Sequence, residues 1–287
     1  MRITGKARLA GIMGWPVDHS RSPALHGFWL EQFGIDGAYV PLAVPPERLE
    51  QALRALPALG FRGCNLTLPH KAAALAIVDR VDPVARRIGA VNTVIVAPDG
   101  SLEARNTDAY GFRENLRERA PDWRPEAGPA VVLGAGGGAR GVVAALVEDG
   151  VGEIRLVNRT AERAAAVARQ LATPATRITV HPWEERGAAL QDAGLLVNTT
   201  SLGMEGKPPL ALDLSLLPAG AVVADIVYVP LETGLLAAAR QRGHAAVDGL
   251  GMLLHQGRPG FAAWFGRPAT VTAELRAAML ASLIPAA

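Results

Sequence analysis

What the chain lacks narrows it first. Its 287 residues hold a single cysteine, Cys64, so no intrachain disulfide can form, and that usage fits a reducing compartment. No run of about 18 apolar residues occurs, so no helical membrane span is expected. Arg2, Lys6 and Arg8 lie within the first ten residues, but no long apolar segment follows them, so a secretory leader is not expected either. The cytoplasm is the predicted location. Dense tracts of one charge are also missing: 29 Lys and Arg stand against 27 Asp and Glu, a formal net charge of +2. Such a balance argues against nucleic acid or a membrane surface as partner. The six histidines, His19, His26, His70, His181, His244 and His255, have no ligand-like spacing with Cys or carboxylates, so no metal is expected. Internal repeats and low-complexity tracts are absent.

What is present is a long, apolar, punctuated chain. Hydrophobic residues make up 49% of it, and 287 residues exceed what one core usually serves, so two domains are expected. Strand-like and helix-like segments alternate. Leu9–Met13 reads as a strand, and Ser22-Pro23 opens a helix with Ser22 as its N-cap. Ala38–Val44 and Phe61–Leu68 read as further strands, with helices from Pro46 and over 71–78. Asp99-Gly100 between two apolar runs signals a hairpin. After a Pro- and Gly-rich connection at 121–129, strands at 131–133, 154–157, 178–180, 195–198 and 222–227 are interleaved with helices, and two more helices close the chain. Alternation of this kind implies mainly parallel sheets covered on both faces. Phe28, Trp29, Phe261, Trp264 and Phe265 read as helix-packing core, and Cys64 as buried filler.

Gly134-Ala135-Gly136-Gly137-Gly138-Ala139 fits G-x-G-x-x-A between a strand and a helix. In that setting Gly134 permits the tight turn, Gly136 lets a pyrophosphate approach the backbone, and Ala139 lets helix and strand pack closely. The following helix N-terminus offers N–H groups to the phosphates. The tip of the next strand identifies the dinucleotide. Where NAD-binding folds place an Asp or Glu, this chain has Asn158-Arg159-Thr160, with Arg163 four residues after Arg159. Two guanidiniums at i and i+4 can clamp a phosphate, so NADP is the expected cofactor.

The first third carries polar residues at strand ends: Ser20 and Ser22, Asn65 and Thr67, Lys71, Asn92, and Asn106-Thr107-Asp108. Any one of these is as readily a cap or a turn. Their number in one domain points to a pocket for a small polyol at the carboxyl edge of a sheet.

In order along the chain stand His-Ser-Arg-Ser-Pro at 19–23, Asn-Leu-Thr-Leu-Pro-His-Lys at 65–71, Gly-Ala-Val-Asn-Thr at 89–93 and Asn-Thr-Asp at 106–108. The glycine turn at 134–139 and Asn-Arg-Thr at 158–160 follow. Asn-Thr-Thr-Ser-Leu-Gly-Met at 198–204, Asp-Ile-Val-Tyr at 225–228 and Asp-Gly-Leu-Gly-Met at 248–252 complete the set. With these motifs the chain resembles the shikimate dehydrogenases, over nearly its whole length. The resemblance implies an α/β fold with two domains. A substrate domain of residues 1–108 and 249–287 would carry a mainly parallel sheet, and a Rossmann-type NADP-binding domain would span 109–248, the C-terminal helices returning to the first domain. It implies reversible, NADPH-dependent reduction of 3-dehydroshikimate to shikimate in a cleft between the domains, by a monomer or homodimer.

The resemblance assigns Lys71 and Asp108 as the catalytic pair. Ser20, Ser22, Asn65, Thr67, Asn92, Tyr228 and Gln256 become substrate contacts. Thr199, Thr200, Gly249 and Met252 join the glycine turn and the basic tip around the cofactor. The chemistry agrees: as hydride reaches a ketone carbon, charge grows on oxygen, and a cationic donor there stabilises it and gives up a proton. Lys71 is the one lysine among these pocket candidates, and an arginine could not release the proton. A quinate or quinate/shikimate dehydrogenase with broader substrate or cofactor use is the alternative. Neutral Asn158 and the two serines favour shikimate and NADP.

Overall fold

The computed structural model describes residues 3–283. Met1 and Arg2 of the N-terminal segment, and 284–287 at the end of the expected first domain, lie outside the described residues. Among the described residues no helix is long and apolar enough to cross a membrane. The chain divides into two compact units. Unit 1 runs to Thr107 and resumes at Leu254; unit 2 is Asp108–Leu253.

Unit 1 begins with β1 (Arg8–Gly14), α1 (Ser22–Gln32), β2 (Gly37–Ala43), α2 (Leu49–Ala55) and β3 (Phe61–Leu66). It continues with α3 (His70–Ala73), β4 (Arg80–Val81), α4 (Pro83–Ile88), β5 (Thr93–Val96) and β6 (Leu102–Arg105). The strands form one sheet in the order β2-β1-β3-β5-β6-β4. β5 alone runs antiparallel to its neighbours β3 and β6, because the tight Asp99-Gly100 turn returns the chain on itself. The sheet is therefore mainly parallel, as expected.

Ser22 is the first residue of α1 and does not cap it; the Ser20 hydroxyl accepts the Ser22 N–H instead, at 3.3 Å. The helix expected over 71–78 is a four-residue α3 followed by a 3-10 turn at Ala74–Ala76. The strand β3 stops at Leu66, and Leu68 is exposed. Helix α4 was not expected; Asp82 caps it, accepting the Val84 and Ala85 N–H groups.

Unit 2 opens on α5 (Asp108–Arg119), which the apolar pattern did not announce because its mean hydropathy is low. There follow β7 (Ala130–Leu133), α6 (Gly137–Glu148), β8 (Glu153–Asn158), α7 (Ala161–Leu171), β9 (Arg177–Pro182) and β10 (Leu195–Asn198). Next come β11 (Val222–Asp225), α8 (Gly234–Gln241) and β12 (Ala245–Val247). The sheet order is β12-β11-β10-β7-β8-β9, and every pairing is parallel. Read from β9, that is 3-2-1-4-5-6, the doubly wound dinucleotide-binding order. Strands β7 and β10 are buried at every residue, as expected of parallel strands covered on both faces.

Two final helices, α9 (Gly249–Phe265) and α10 (Ala273–Leu283), carry the chain back to unit 1. There Phe261 and Phe265 of α9 pack with Trp29 of α1, all three fully buried, each contributing roughly 1.5–3 kcal/mol by burial. The Trp264 indole N–H donates to the Val94 carbonyl at 2.9 Å. Gly63 makes room for it: at φ +144°, a Cβ there would lie 2.0 Å from the Val94 oxygen and 2.4 Å from the indole nitrogen. Phe28, by contrast, is only half-buried.

Candidate active site

The polar residues of unit 1 form one hydrogen-bonded chain. Tyr39 on β2 donates its hydroxyl to Asn65 Oδ1 on β3 at 2.6 Å. The Asn65 amide nitrogen donates to the Asn92 carbonyl at 2.9 Å and to Thr93 Oγ1 at 3.1 Å. Asn92 Oδ1 accepts three donors: the Thr93 hydroxyl at 3.0 Å, the Thr107 N–H at 2.9 Å and the Thr107 hydroxyl at 3.1 Å. The Asn92 amide then donates to Gln256 Oε1 on α9 at 3.3 Å. Residues from five places in the chain thus hold one another. The network joins Asn65, Asn92 and Gln256 with Thr107 of the 106–108 stretch, and it includes Thr93 and Tyr39 as well.

Thr67 and Lys71 stand just beyond β3. The Thr67 N–H donates to the Met13 carbonyl, and its methyl fills the space left by Gly14, where a Cβ would lie 2.5 Å away. The Val91 N–H donates to the Lys71 carbonyl at 2.8 Å, which pins the backbone of the half-buried lysine one residue from Asn92. His70, beside it, is buried with Nε2 2.8 Å from the Val44 carbonyl. Asp108 is the first residue of α5 in unit 2 and is buried. It follows Thr107 directly, so the bonds from Thr107 to Asn92 hold the chain at the point where the carboxylate begins. Gly141 of α6 packs against it closely; a Cβ there would come within 2.8 Å of Asp108 Cβ.

In unit 2, Gly134 has φ +106°, and a Cβ would lie 2.8 Å from Thr199 Oγ1. Gly136 and Gly137 are exposed, and a Cβ on either would enter open space. Helix α6 starts at Gly137 with no side-chain cap. Ala135 and Gly138 are half-buried and Ala139 is fully buried. A Cβ at Gly138 would meet only the tip of Ile226, at 2.6 Å. At the end of β8, Asn158 donates its amide N–H to the Thr160 carbonyl at 2.8 Å, while Arg159, Thr160 and Arg163 are exposed at the start of α7. The residues fit a dinucleotide phosphate: an open glycine cradle at an uncapped helix start, and two exposed guanidiniums at the start of α7, with no carboxylate at the β8 tip itself.

The loops after β10 and β11 are tied together. Asn198 accepts the Thr200 N–H and hydroxyl and donates to Asp225 Oδ1 at 3.0 Å. The Thr199 hydroxyl donates to the Leu133 carbonyl at 2.6 Å. The Thr199 hydroxyl is therefore engaged by the end of β7 and the Thr200 hydroxyl by Asn198. Asp225 also accepts the Val227 N–H at 3.0 Å and the Thr233 hydroxyl at 2.8 Å. Burial nonetheless pushes its pKa up to about 6, against those donors. Gly249 packs on the same segment, where a Cβ would lie 2.3 Å from the Ile226 carbonyl oxygen. Met252 is buried and Tyr228 half-buried. His255 is buried on α9.

Comparison with known proteins identifies the family. Residues 12–94 match the model of the shikimate dehydrogenase substrate binding domain, and 123–203 that of the shikimate / quinate 5-dehydrogenases. The shikimate dehydrogenase (NADP(+)) of Paramagnetospirillum magneticum is 63% identical over 278 residues, covering 97% of this chain and all of that protein. The chain belongs to the shikimate dehydrogenase family. Among solved structures, that of the Thermus thermophilus shikimate 5-dehydrogenase in complex with NADP(H) and shikimate has a TM-score of 0.82. It is 40% identical, over 96% of this chain and 98% of that one. Quinate dehydrogenase from Corynebacterium glutamicum in complex with NAD has a TM-score of 0.88 at 32% identity, over 96% and 99%.

As a member of that family, the chain displays one framework group that motif reading passed over. Tyr39 sits in an apolar strand, and a buried tyrosine hydroxyl needs a partner. That lone polar tip in Ala38–Val44 was the available signal.

Proposed function

We propose that this protein catalyses the reversible, NADPH-dependent reduction of 3-dehydroshikimate to shikimate. The observation that carries the reading is the 63% identity, over 97% of the chain, to an NADP(+)-dependent shikimate dehydrogenase. The oxygen and nitrogen groups gathered around Asn65, Asn92 and Gln256 suit a ring bearing several hydroxyls, because each amide offers both donor and acceptor. In this reading Ser20, Ser22, Thr67 and Tyr228 complete the substrate contacts. Gly134–Ala139 would hold the pyrophosphate, and Asn158, Arg159, Thr160 and Arg163 the 2′-phosphate. Thr199, Thr200, Gly249 and Met252 would shape the nicotinamide end.

When bound, NADPH supplies the hydride. The Lys71 ammonium stabilises the oxyanion as charge develops on the substrate oxygen and transfers a proton to it, leaving a neutral amine. Asp108 accepts a hydrogen bond from the substrate or from the lysine and keeps the ammonium oriented. In the reverse direction the neutral Lys71 amine takes the hydroxyl proton. The enzyme would work in the cytoplasm, in keeping with its one buried, unreactive thiol, whose pKa burial pushes up. It would act as a monomer or homodimer, which sedimentation decides.

A spectrophotometric assay at about 340 nm, offering shikimate and quinate with NADP and NAD, tests the reading. Shikimate with NADP should give the highest kcat/KM of the four pairs. A higher value for quinate with NAD would assign the protein to the other branch of the family.

A further inference from the structure

The Tyr39 side chain belongs to none of the assigned functions, yet it bonds to one of the residues that would bind substrate. Its hydroxyl donates to Asn65 Oδ1 at 2.6 Å. Tyr39 lies on β2 and Asn65 on β3, so the phenol joins two elements. The single phenol proton goes to Asn65, so the bond has a direction: Tyr39 to Asn65.

That direction determines what Asn65 can show a ligand. Its carbonyl oxygen faces Tyr39, and its two amide hydrogens go to the Asn92 carbonyl and Thr93 Oγ1. The group left over is the second lone pair of Oδ1, an acceptor. An acceptor held there selects a substrate hydroxyl and disfavours an anionic or carbonyl oxygen. If the amide turned over, its nitrogen would face the phenol, and Asn65 would offer a donor instead.

The phenol itself is held rigidly. The His26 ring stacks on it, centroids 4.0 Å apart and planes 8° from parallel, and Trp264 closes the other approach at 6.0 Å. Tyr39 is buried. Burial raises its pKa well above the usual tyrosine value, so the proton donated to Asn65 stays on the phenol oxygen.

We propose that Tyr39 is a positioning residue of the substrate pocket, bonded to Asn65 and orienting its amide so that it presents an acceptor to a substrate hydroxyl. This rests on the shikimate reading above. The test is Tyr39→Phe, which keeps the ring stack and removes the hydroxyl. KM for shikimate should rise about tenfold, with kcat changed less than about threefold and KM for NADP unchanged. Added to Asn65→Ala, the same substitution should raise the shikimate KM no further, since its effect runs through Asn65.

An unchanged shikimate KM, an additive effect, or an equal rise in both KM values with a fall in Tm would each overturn the proposal. The wild-type chain in the same assay separates the two claims: an inactive wild type removes the functional reading, whereas an active wild type matched by Tyr39→Phe removes this inference alone. Should Tyr39→Phe not fold, 3-fluorotyrosine placed at position 39 of the full chain decides it. Its 19F resonance should move on adding shikimate alone and stay put on adding NADP alone; a resonance blind to shikimate overturns the proposal.

Discussion

His26 lies flat on Tyr39 with both imidazole nitrogens buried and without a hydrogen-bond partner among the described residues. The nearby Asn65 opposes the consequence without reaching hydrogen-bond geometry; burial dominates and lowers the His26 pKa to about 3. The folded protein thus holds this ring neutral where the unfolded chain would protonate it.

The sign of the resulting pH effect is set by that depression. Between pH 6.5 and about 3 the unfolded state binds the extra proton, so stability is lost as pH falls through that window. The loss is on the order of 4–5 kcal/mol at its limit. His26→Phe keeps a ring against Tyr39 and cannot titrate. Its acid-unfolding midpoint, followed by circular dichroism, should lie at lower pH than that of the wild type. Coincident midpoints would remove His26 as the cause.

Asp225 acts in the opposite sense. Its folded pKa, raised by burial to about 6 from 3.8, gives stability that is fully present below about pH 4 and lost as pH rises through 6. Asp225→Asn keeps the shape of the site and abolishes the titration. The stability of the variant relative to wild type should therefore increase between pH 4 and 8, by on the order of 3 kcal/mol at most. Urea unfolding at the two pH values measures it, and a pH-independent difference would contradict the burial argument.

Lys71→Arg keeps the charge and removes the transferable proton. Turnover should fall by about 10²–10⁴-fold while KM for shikimate changes little. If kcat survived and only KM moved, Lys71 would be a binding group.

Arg159 and Arg163 are exposed at the start of α7. Replacing both by alanine should raise KM for NADP by about 10²–10⁴-fold, since each charge-assisted bond contributes about 1.5–3 kcal/mol, and leave KM for NAD nearly unchanged. An unaltered preference for NADP would show that the 2′-phosphate is held elsewhere.

Much of unit 2 could be read along the chain. Strand β10 has the bounds expected of it, and the glycine turn and basic strand tip lie where spacing put them. These features are local: a parallel strand declares itself by a short apolar run, and a helix start by a glycine turn. Unit 1 was less legible. Asp82 caps a helix no apolar stripe announced, and α3 is too short to show a period. The motif residues Asn65, Asn92 and Gln256 could be named from the sequence, but their partners could not. Residues 39, 65, 92, 107 and 256 meet only after β2, β1, β3 and β5 align and α9 returns to the sheet.

By itself, then, the order of residues determined the two α/β units, the family and the cofactor preference, because periodicity, turn chemistry and charge at a strand tip act over a few residues. Tertiary structure alone decided that a phenol from β2 orients the Asn65 amide and that His26 is stranded without a partner. Both depend on which buried polar groups end up within about 3 Å of one another, and the local pattern of a chain carries no information on that distance.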